Sequence, residues 1–202
     1  MLFRSPDGTV LQTPGYDAST RTWYDPCGFS YPQIDENPTM DDAQGALAYL
    51  HRAFSTFPFQ DEVDKAVILA AALTALVRRS LPSAPLIAIT APTMASGKTL
   101  VADLISIMAS GVVAPAMQLP ETEEEAKKTA LAILIAGDPV VMIDNVDRPL
   151  QGDWLCTALT SETFAGRVLG VSQMAHVPTC TMWIANGNQL TIAGDLRTRA
   201  LL

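Results

Sequence analysis

The chain has 202 residues, 49% hydrophobic and 17% charged, with a mean hydropathy of +0.21, so it can bury a sizeable core and is not a disordered segment. Thirteen Lys and Arg against 21 Asp and Glu leave a formal charge of −8, which disfavours a free-standing, non-specific nucleic-acid binder and restricts any such contact to a few local basic side chains. The apolar stretch 66–77, closed by Arg78 and Arg79, is shorter than the roughly 18 to 20 residues that span a bilayer. The N-terminus lacks the apolar run of a secretion signal, so a cytoplasmic protein without membrane association is expected. Cys27, Cys156 and Cys180 lie far apart without a C-x-x-C pair, which points to ordinary thiols rather than a disulfide framework or a zinc site.

Residues 1–40 are rich in Pro, Gly, Asp, Thr and Tyr, with turn signals at Asp7-Gly8 and Pro14-Gly15. Short strands are predicted at 9–12 and 20–24, making this segment a β-rich appendage whose Trp23, Tyr24 and Tyr31 pack against the rest. Residues 41–82 form a helical lead-in, with helices at 41–57 and 61–79. The second carries Asp61, Glu62 and Asp64 in its first turn and Arg78 and Arg79 in its last, as the helix dipole favours.

From residue 83 onward, apolar strands alternate with helices. A strand is predicted at 86–90 and a helix at 98–110, stopped by Gly111. A helix at 122–136 is opened by a Thr122-x-x-Glu125 capping box within the acidic run Glu121, Glu123, Glu124, Glu125, a solvated first turn. A strand at 140–143, a helix at 153–161, a β-hairpin at 167–177 and a strand at 181–185 follow, and a terminal helix begins near Arg197 and Arg199. Strands that alternate with helices and are apolar throughout imply a parallel sheet covered on both faces, a three-layer α/β/α domain spanning 83–202.

Pro92-Thr93-Met94-Ala95-Ser96-Gly97-Lys98-Thr99 matches the phosphate-loop pattern G-x-x-x-x-G-K-[ST] except at its first position. It lies where that pattern acts, between a strand and a helix. The backbone from Thr93 through Met94, Ala95, Ser96, Gly97, Lys98, Thr99 and Leu100 is expected to cradle the phosphates of ATP at the positive helix end. Lys98 would reach the β- and γ-phosphates, and the Thr99 hydroxyl would ligate Mg²⁺. Pro92 narrows the loop's conformational freedom, and Ala95 raises the same question.

Val140-Val141-Met142-Ile143-Asp144 places a carboxylate at the end of a buried strand, as a magnesium ligand of the Walker B kind requires. Asn145 follows it. An amide can orient water but cannot take its proton, so Asp147 or another carboxylate supplies that role, or hydrolysis is slow. The strand 181–185 leads into Asn186-Gly187-Asn188; Asn188 first and Asn186 second are candidates to hold the attacking water or the γ-phosphate, against a plain Asn-Gly turn. Arg197 and Arg199 are candidates to stabilise transition-state charge across a subunit interface, against a surface ion pair.

Pro14-Gly15-Tyr16-Asp17, Ala91-Pro92-Thr93 with Ser96-Gly97-Lys98-Thr99, Val141-Met142-Ile143-Asp144-Asn145-Val146, Gly187-Asn188, and Gly194-Asp195 with Arg199-Ala200-Leu201-Leu202 together resemble the ATPase region of prophage and mobile-element DNA primase/helicase-like proteins. These belong to the AAA+ group of P-loop NTPases near the superfamily 3 helicases, and the resemblance spans nearly the whole chain. It implies a ring-forming, hexameric ATPase with Arg199 as the trans-acting arginine. It also implies a pore hairpin, a place filled here by 167–177, with Arg167, Gln173 and His176 against single-stranded DNA. Repetition around a ring would let sparse basic side chains follow a phosphate backbone; the alternative is a structural hairpin with Arg167 paired to Glu162.

The function expected is ATP hydrolysis coupled to DNA translocation, with Lys98, Asp144, Asn145, Asn188 and Arg199 as its catalytic set. The alternative is an ATP-binding assembly module with little or no hydrolysis, motivated by Asn145. A small-molecule kinase has less support, since no lid-like Arg cluster is present. The apolar ending Leu201-Leu202 suggests a motor cut off after its last arginine, and primase chemistry is not expected within it.

Overall fold

Side-chain alternation along five short, parallel strands decides which helices cover which face of the molecule's main sheet. The computed structural model describes residues 3–4, 10–35, 37–168, 170 and 173–202, and the chain divides into two units, 1–53 and 54–202.

In the first unit, β1 (Phe3–Arg4) pairs with β2 (Val10–Leu11), and β3 (Gly15–Asp17) with β4 (Thr22–Tyr24), both antiparallel. Gly15 opens a strand where the sequence predicted a turn. The β3–β4 turn is organised by Asp17, whose carboxylate accepts from Ser19 Oγ at 2.6 Å and from Thr20 N and Oγ1 at 2.8 and 2.6 Å. Those hydrogen bonds, Ser19's foremost, hold the carboxyl below the usual carboxylate range. Gln12 clasps the backbone of Ile34 in both directions. Within this unit Trp23 is 70% exposed and Tyr31 45%. Helix α1 (Met40–Phe54) starts at a reciprocal Thr39–Asp42 cap, Thr39 N donating to Asp42 Oδ2 and Asp42 N to Thr39 Oγ1.

The second unit continues with α2 (Glu62–Val77), capped by Asp61, and a 3₁₀ turn, Arg78–Ser80. Then come β5 (Leu86–Ala91), α3 (Lys98–Ser110), β6 (Ala116–Gln118), α4 (Glu123–Ala136), β7 (Val140–Asp144) and α5 (Asp153–Thr160). The hairpin β8 (Thr163–Arg167) and β9 (Met174–Pro178), strand β10 (Met182–Asn188), a 3₁₀ turn at Gly194–Thr198 and β11 (Ala200–Leu201) complete it. The sheet order is β11-β5-β10-β7-β6, all parallel.

Leu86, Ala88, Val141, Ile143, Trp183 and Ala185 face one core with α4, α5 and Phe164 of the hairpin. Their neighbours Ile87, Val140, Met142, Met182 and Ile184 face the other, with α2 and α3. Both faces are therefore buried, and the all-apolar strands follow from that. Trp154 and Trp183 meet edge-to-face at 5.5 Å in the first core. In the second, Arg78 is 2% exposed and donates to the carbonyls of Thr181 at 3.2 Å, Leu81 at 2.8 Å and Thr179. It braces the entry to β10 instead of complementing a helix end, and burial pushes its pKa below the ordinary arginine value.

Three further expectations are corrected. The strand predicted at 181–185 runs to Asn188, because Asn186 and Gly187 continue the ladder with β5. The terminal helix is instead a 3₁₀ turn and a strand paired to β5. The predicted hairpin is present, but its first strand begins at Thr163 and ends at Arg167; residues 169, 171 and 172 of its tip lie outside the described residues. Strand β6 was not predicted: Ala116-Met117-Gln118 has no β-branched residue or alternation to mark it. Among the described residues, no helix is long and apolar enough to cross a membrane.

Candidate functional site

The carboxyl edge of the parallel sheet gathers the polar residues that the apolar strands end on. Strand β10 lies between β5, which leads into the phosphate loop, and β7, which ends at Asp144. Period-two alternation puts Asp144 on the face of Val140 and Met142, and Asn186 and Asn188 on the face of Ile184. That is the face α3 covers, and α3 begins at Lys98. Three elements distant in sequence thus deliver Lys98, Thr99, Asp144, Asn186 and Asn188 to one corner.

Gly97 caps α3 with φ +85 and no side-chain cap hydrogen bond, leaving the helix N-terminus open to an anion. A Cβ there would lie 3.2 Å from the Phe57 ring, so backbone conformation and close packing both favour glycine. Ala95 takes φ +55, a left-handed conformation that glycine adopts without strain. Pro92 is accommodated with a trans peptide. Met94 is 80% exposed and Leu100 54%, so of the predicted cradle these two offer only backbone.

Lys98 Nζ donates to Thr93 O at 3.2 Å, Ser96 Oγ at 3.0 Å and Asn188 Oδ1 at 2.8 Å. All three acceptors are neutral, and among the described residues Lys98 makes no ion pair. A cation held by neutral acceptors at an open helix end fits a phosphate chain. Asn186 is 2% exposed. Its Nδ2 reaches Thr99 Oγ1 at 3.4 Å and Met142 Sδ at 3.1 Å, and its Oδ1 accepts from Asn145 N at 2.8 Å.

Asn145 is exposed and left-handed, φ +54, a conformation Asn tolerates better than most residues. Asp147 is exposed. Among the described residues no group of three or more His, Cys, Asp or Glu is placed to hold a metal ion. A site built from the Thr99 hydroxyl, one carboxylate and phosphate oxygens has no need of such a group, and the donor chemistry present suits magnesium.

The sheet also fixes Asn188. Gln189 N donates to Ala91 O at 3.4 Å and Leu190 N to Thr90 Oγ1 at 3.0 Å, tying the end of β10 to the strand that enters the loop. Gly187 allows Val146 to approach: a Cβ there would collide with the Val146 carbonyl oxygen. Neither Thr90 nor the packing role of Gly187 was legible from the sequence, where both read as ordinary strand and turn residues.

A cleft of about 480 Å³ opens beside the loop, lined by Phe59, Val67, Ile68 and Ile89 with Pro92 and Thr93. Sequence reasoning missed it because Phe59 stands in the connection between two helices, without periodicity. A separate cleft of about 530 Å³, between the starts of α4 and α5, is lined by Arg148, Trp154 and Asp195 among others and shares no residue with the loop. Glu123 sits there in a structural role, accepting from Trp154 N at 2.9 Å.

The remaining predicted residues lie elsewhere. Arg199 O accepts from Leu86 N at 2.9 Å, at the opposite edge of the sheet, and six residues of β5 separate that point from the phosphate loop. That is about 17 Å at strand rise, so Arg199 does not join Lys98 within one chain. Arg197 donates to Ile192 O at 3.0 Å. Arg167 and His176 are exposed on one face of the β8–β9 hairpin, in the Ala165–His176 and Arg167–Met174 register. Among the described residues Arg167 makes no ion pair, so the alternative pairing with Glu162 is not formed. Gln173 is exposed at the tip. Comparison with protein-family models and with curated proteins gives no match.

Proposed function

We propose that the chain is an ATP- and Mg²⁺-binding AAA+-type P-loop ATPase domain of a phage-type replicative helicase or primase-like protein, coupling hydrolysis to DNA translocation in a ring. The observation that carries this reading is the meeting of Lys98, at the open N-terminus of α3, with Asn188 from the strand beside it. In this reading the loop amides and Lys98 bind the β- and γ-phosphates, and Thr99 and Asp144 hold the cation. Magnesium, when bound, supplies charge neutralisation on the phosphate oxygens. Asn188 sits where it can orient a water or the terminal phosphate, and the apolar cleft around Phe59 offers the base a seat. Arg199 acts on the site of the neighbouring subunit, since its own is out of reach. In the same reading Arg167 and His176, which share an exposed hairpin face, contact DNA in the ring's pore.

The second reading, an ATP-binding assembly module with little hydrolysis, is favoured by Asn145, which stands beside Asp144 where a proton acceptor would serve. One experiment tests both: nucleotide binding and phosphate release, with and without single-stranded DNA, alongside a solution mass. DNA-stimulated turnover abolished by Lys98→Ala supports the motor. Binding without turnover supports the assembly module, and absence of binding overturns both.

A further inference from the structure

We infer that Asn186 is a positioning residue that sets the spacing between the two groups expected to hold the cation, the Thr99 hydroxyl and the Asp144 strand end. This rests on the phosphate-site reading above. Asn186 lies inside a strand whose preceding residues, Met182, Trp183, Ile184 and Ala185, are all buried and apolar. An amide is costly at such a position unless its hydrogen bonds are made internally. They are made to both halves of the site. The amide oxygen takes Asn145 N at 2.8 Å, and the main-chain oxygen of Asn186 takes Val146 N at 2.8 Å, so the turn after Asp144 is pinned at two successive residues. The amide nitrogen approaches Thr99 Oγ1 at 3.4 Å, occupying one lone pair of the hydroxyl and leaving the other for a cation. One side chain therefore references both ligands to the same rigid strand, without being a ligand itself.

The test is the affinity of a fluorescent N-methylanthraniloyl ATP analogue, measured for the intact chain with magnesium and with EDTA; the ratio of the two is the readout. Asn186→Ala is expected to keep its affinity in EDTA within about threefold and to lose about tenfold of the magnesium enhancement, as loss of an outer partner of a metal ligand typically does. Met142→Leu removes the sulfur contact of the same amide and is expected to keep the full enhancement. An unchanged ratio in folded Asn186→Ala overturns the inference while leaving the phosphate site standing, and an equal loss in Met142→Leu overturns it in favour of packing alone. If Asn186→Ala does not fold, Asn186→Thr is judged by the same ratio, and failure of both to fold assigns the residue to folding and overturns the inference. Wild-type protein that binds no nucleotide in either buffer removes the reading beneath it as well.

Discussion

Lys98 Nζ donates to Asn188 Oδ1 at 2.8 Å across ninety residues of sequence, so the loop lysine is held in place by a neutral group. A carboxylate would hold it as firmly but would cancel its charge. Asn188→Asp is therefore expected to weaken nucleotide binding at least about fivefold, since an ion pair worth about 1 kcal/mol must be broken before phosphate can enter. Asn188→Ala should leave binding within a few fold and reduce turnover about a hundredfold, the typical cost of removing one positioned polar group. Equilibrium binding and phosphate release distinguish the two; wild-type affinity in Asn188→Asp would count against Lys98 as the phosphate ligand.

Gly187 is needed for a different reason from Gly97 of the loop, since its backbone is ordinary strand and the obstacle is the Val146 carbonyl. Gly187→Ala is expected to destabilise the domain by about 3 kcal/mol, because the collision is with backbone on a neighbouring strand end and not with a flexible side chain. Chemical denaturation measures it, and a loss well under 1 kcal/mol would mean that the turn after β7 yields easily.

Arg78 is expected to be a structural linchpin despite its charge. Its guanidinium satisfies carbonyls of Leu81, Thr179 and Thr181, so Arg78→Met fills the volume yet strands those oxygens. A loss of at least about 3 kcal/mol is predicted from the desolvated acceptors left behind, read by urea unfolding. Little change would show that the loop before β10 can reach water.

The strand–loop–helix around Gly97, the acid-ended strand and the helices covering them were legible because each rests on a local signal: Gly97-Lys98-Thr99 before an apolar helix, the run into Asp144, and Gly111, whose φ of +82 stops α3 where predicted. What was not legible depends on pairing between distant segments. Asn186-Gly187-Asn188 is a good turn sequence, yet the ladder with β5 keeps it extended. Arg199-Ala200-Leu201 reads as helix, yet pairing with Leu86 and Ile87 makes it a strand. Arg78 and Arg79 suit a helix terminus equally well, and only the fold buries one and exposes the other.

Asn145 separates backbone requirement from chemistry. Its φ of +54 is tolerated by Asn, Asp and Gly, so Asn145→Ala should cost about 1 kcal/mol and Asn145→Gly almost nothing. Asn145→Asp keeps the turn while adding a proton acceptor beside Asp144. Turnover is expected to rise severalfold if proton removal limits hydrolysis; an unchanged rate, with the stability of Asn145→Asp intact, would assign that task to another group.

In the proposed ring, Arg199 would act between subunits. Its Nη1 donates to Thr160 Oγ1 at 3.1 Å and its Nη2 to Asp195, while Nε is buried with no acceptor among the described residues. These contacts hold the side chain between the last residue of α5 and Asp195, while its main chain pairs with the start of β5, at the edge of the sheet opposite the loop. In a ring, that edge must face a neighbour's loop for the guanidinium to meet developing charge. Lys98→Ala subunits lack a working loop but carry Arg199, whereas Arg199→Ala subunits carry the loop but not the arginine. Mixed, the two should recover part of the ATPase activity that each lacks, with a maximum near equal proportions. Arg199→Lys should not substitute for wild type, because an ammonium cannot reproduce the planar fork. Absence of recovery at any ratio, with both variants folded and assembled, would make Arg199 a brace between Asp195 and Thr160 and nothing more.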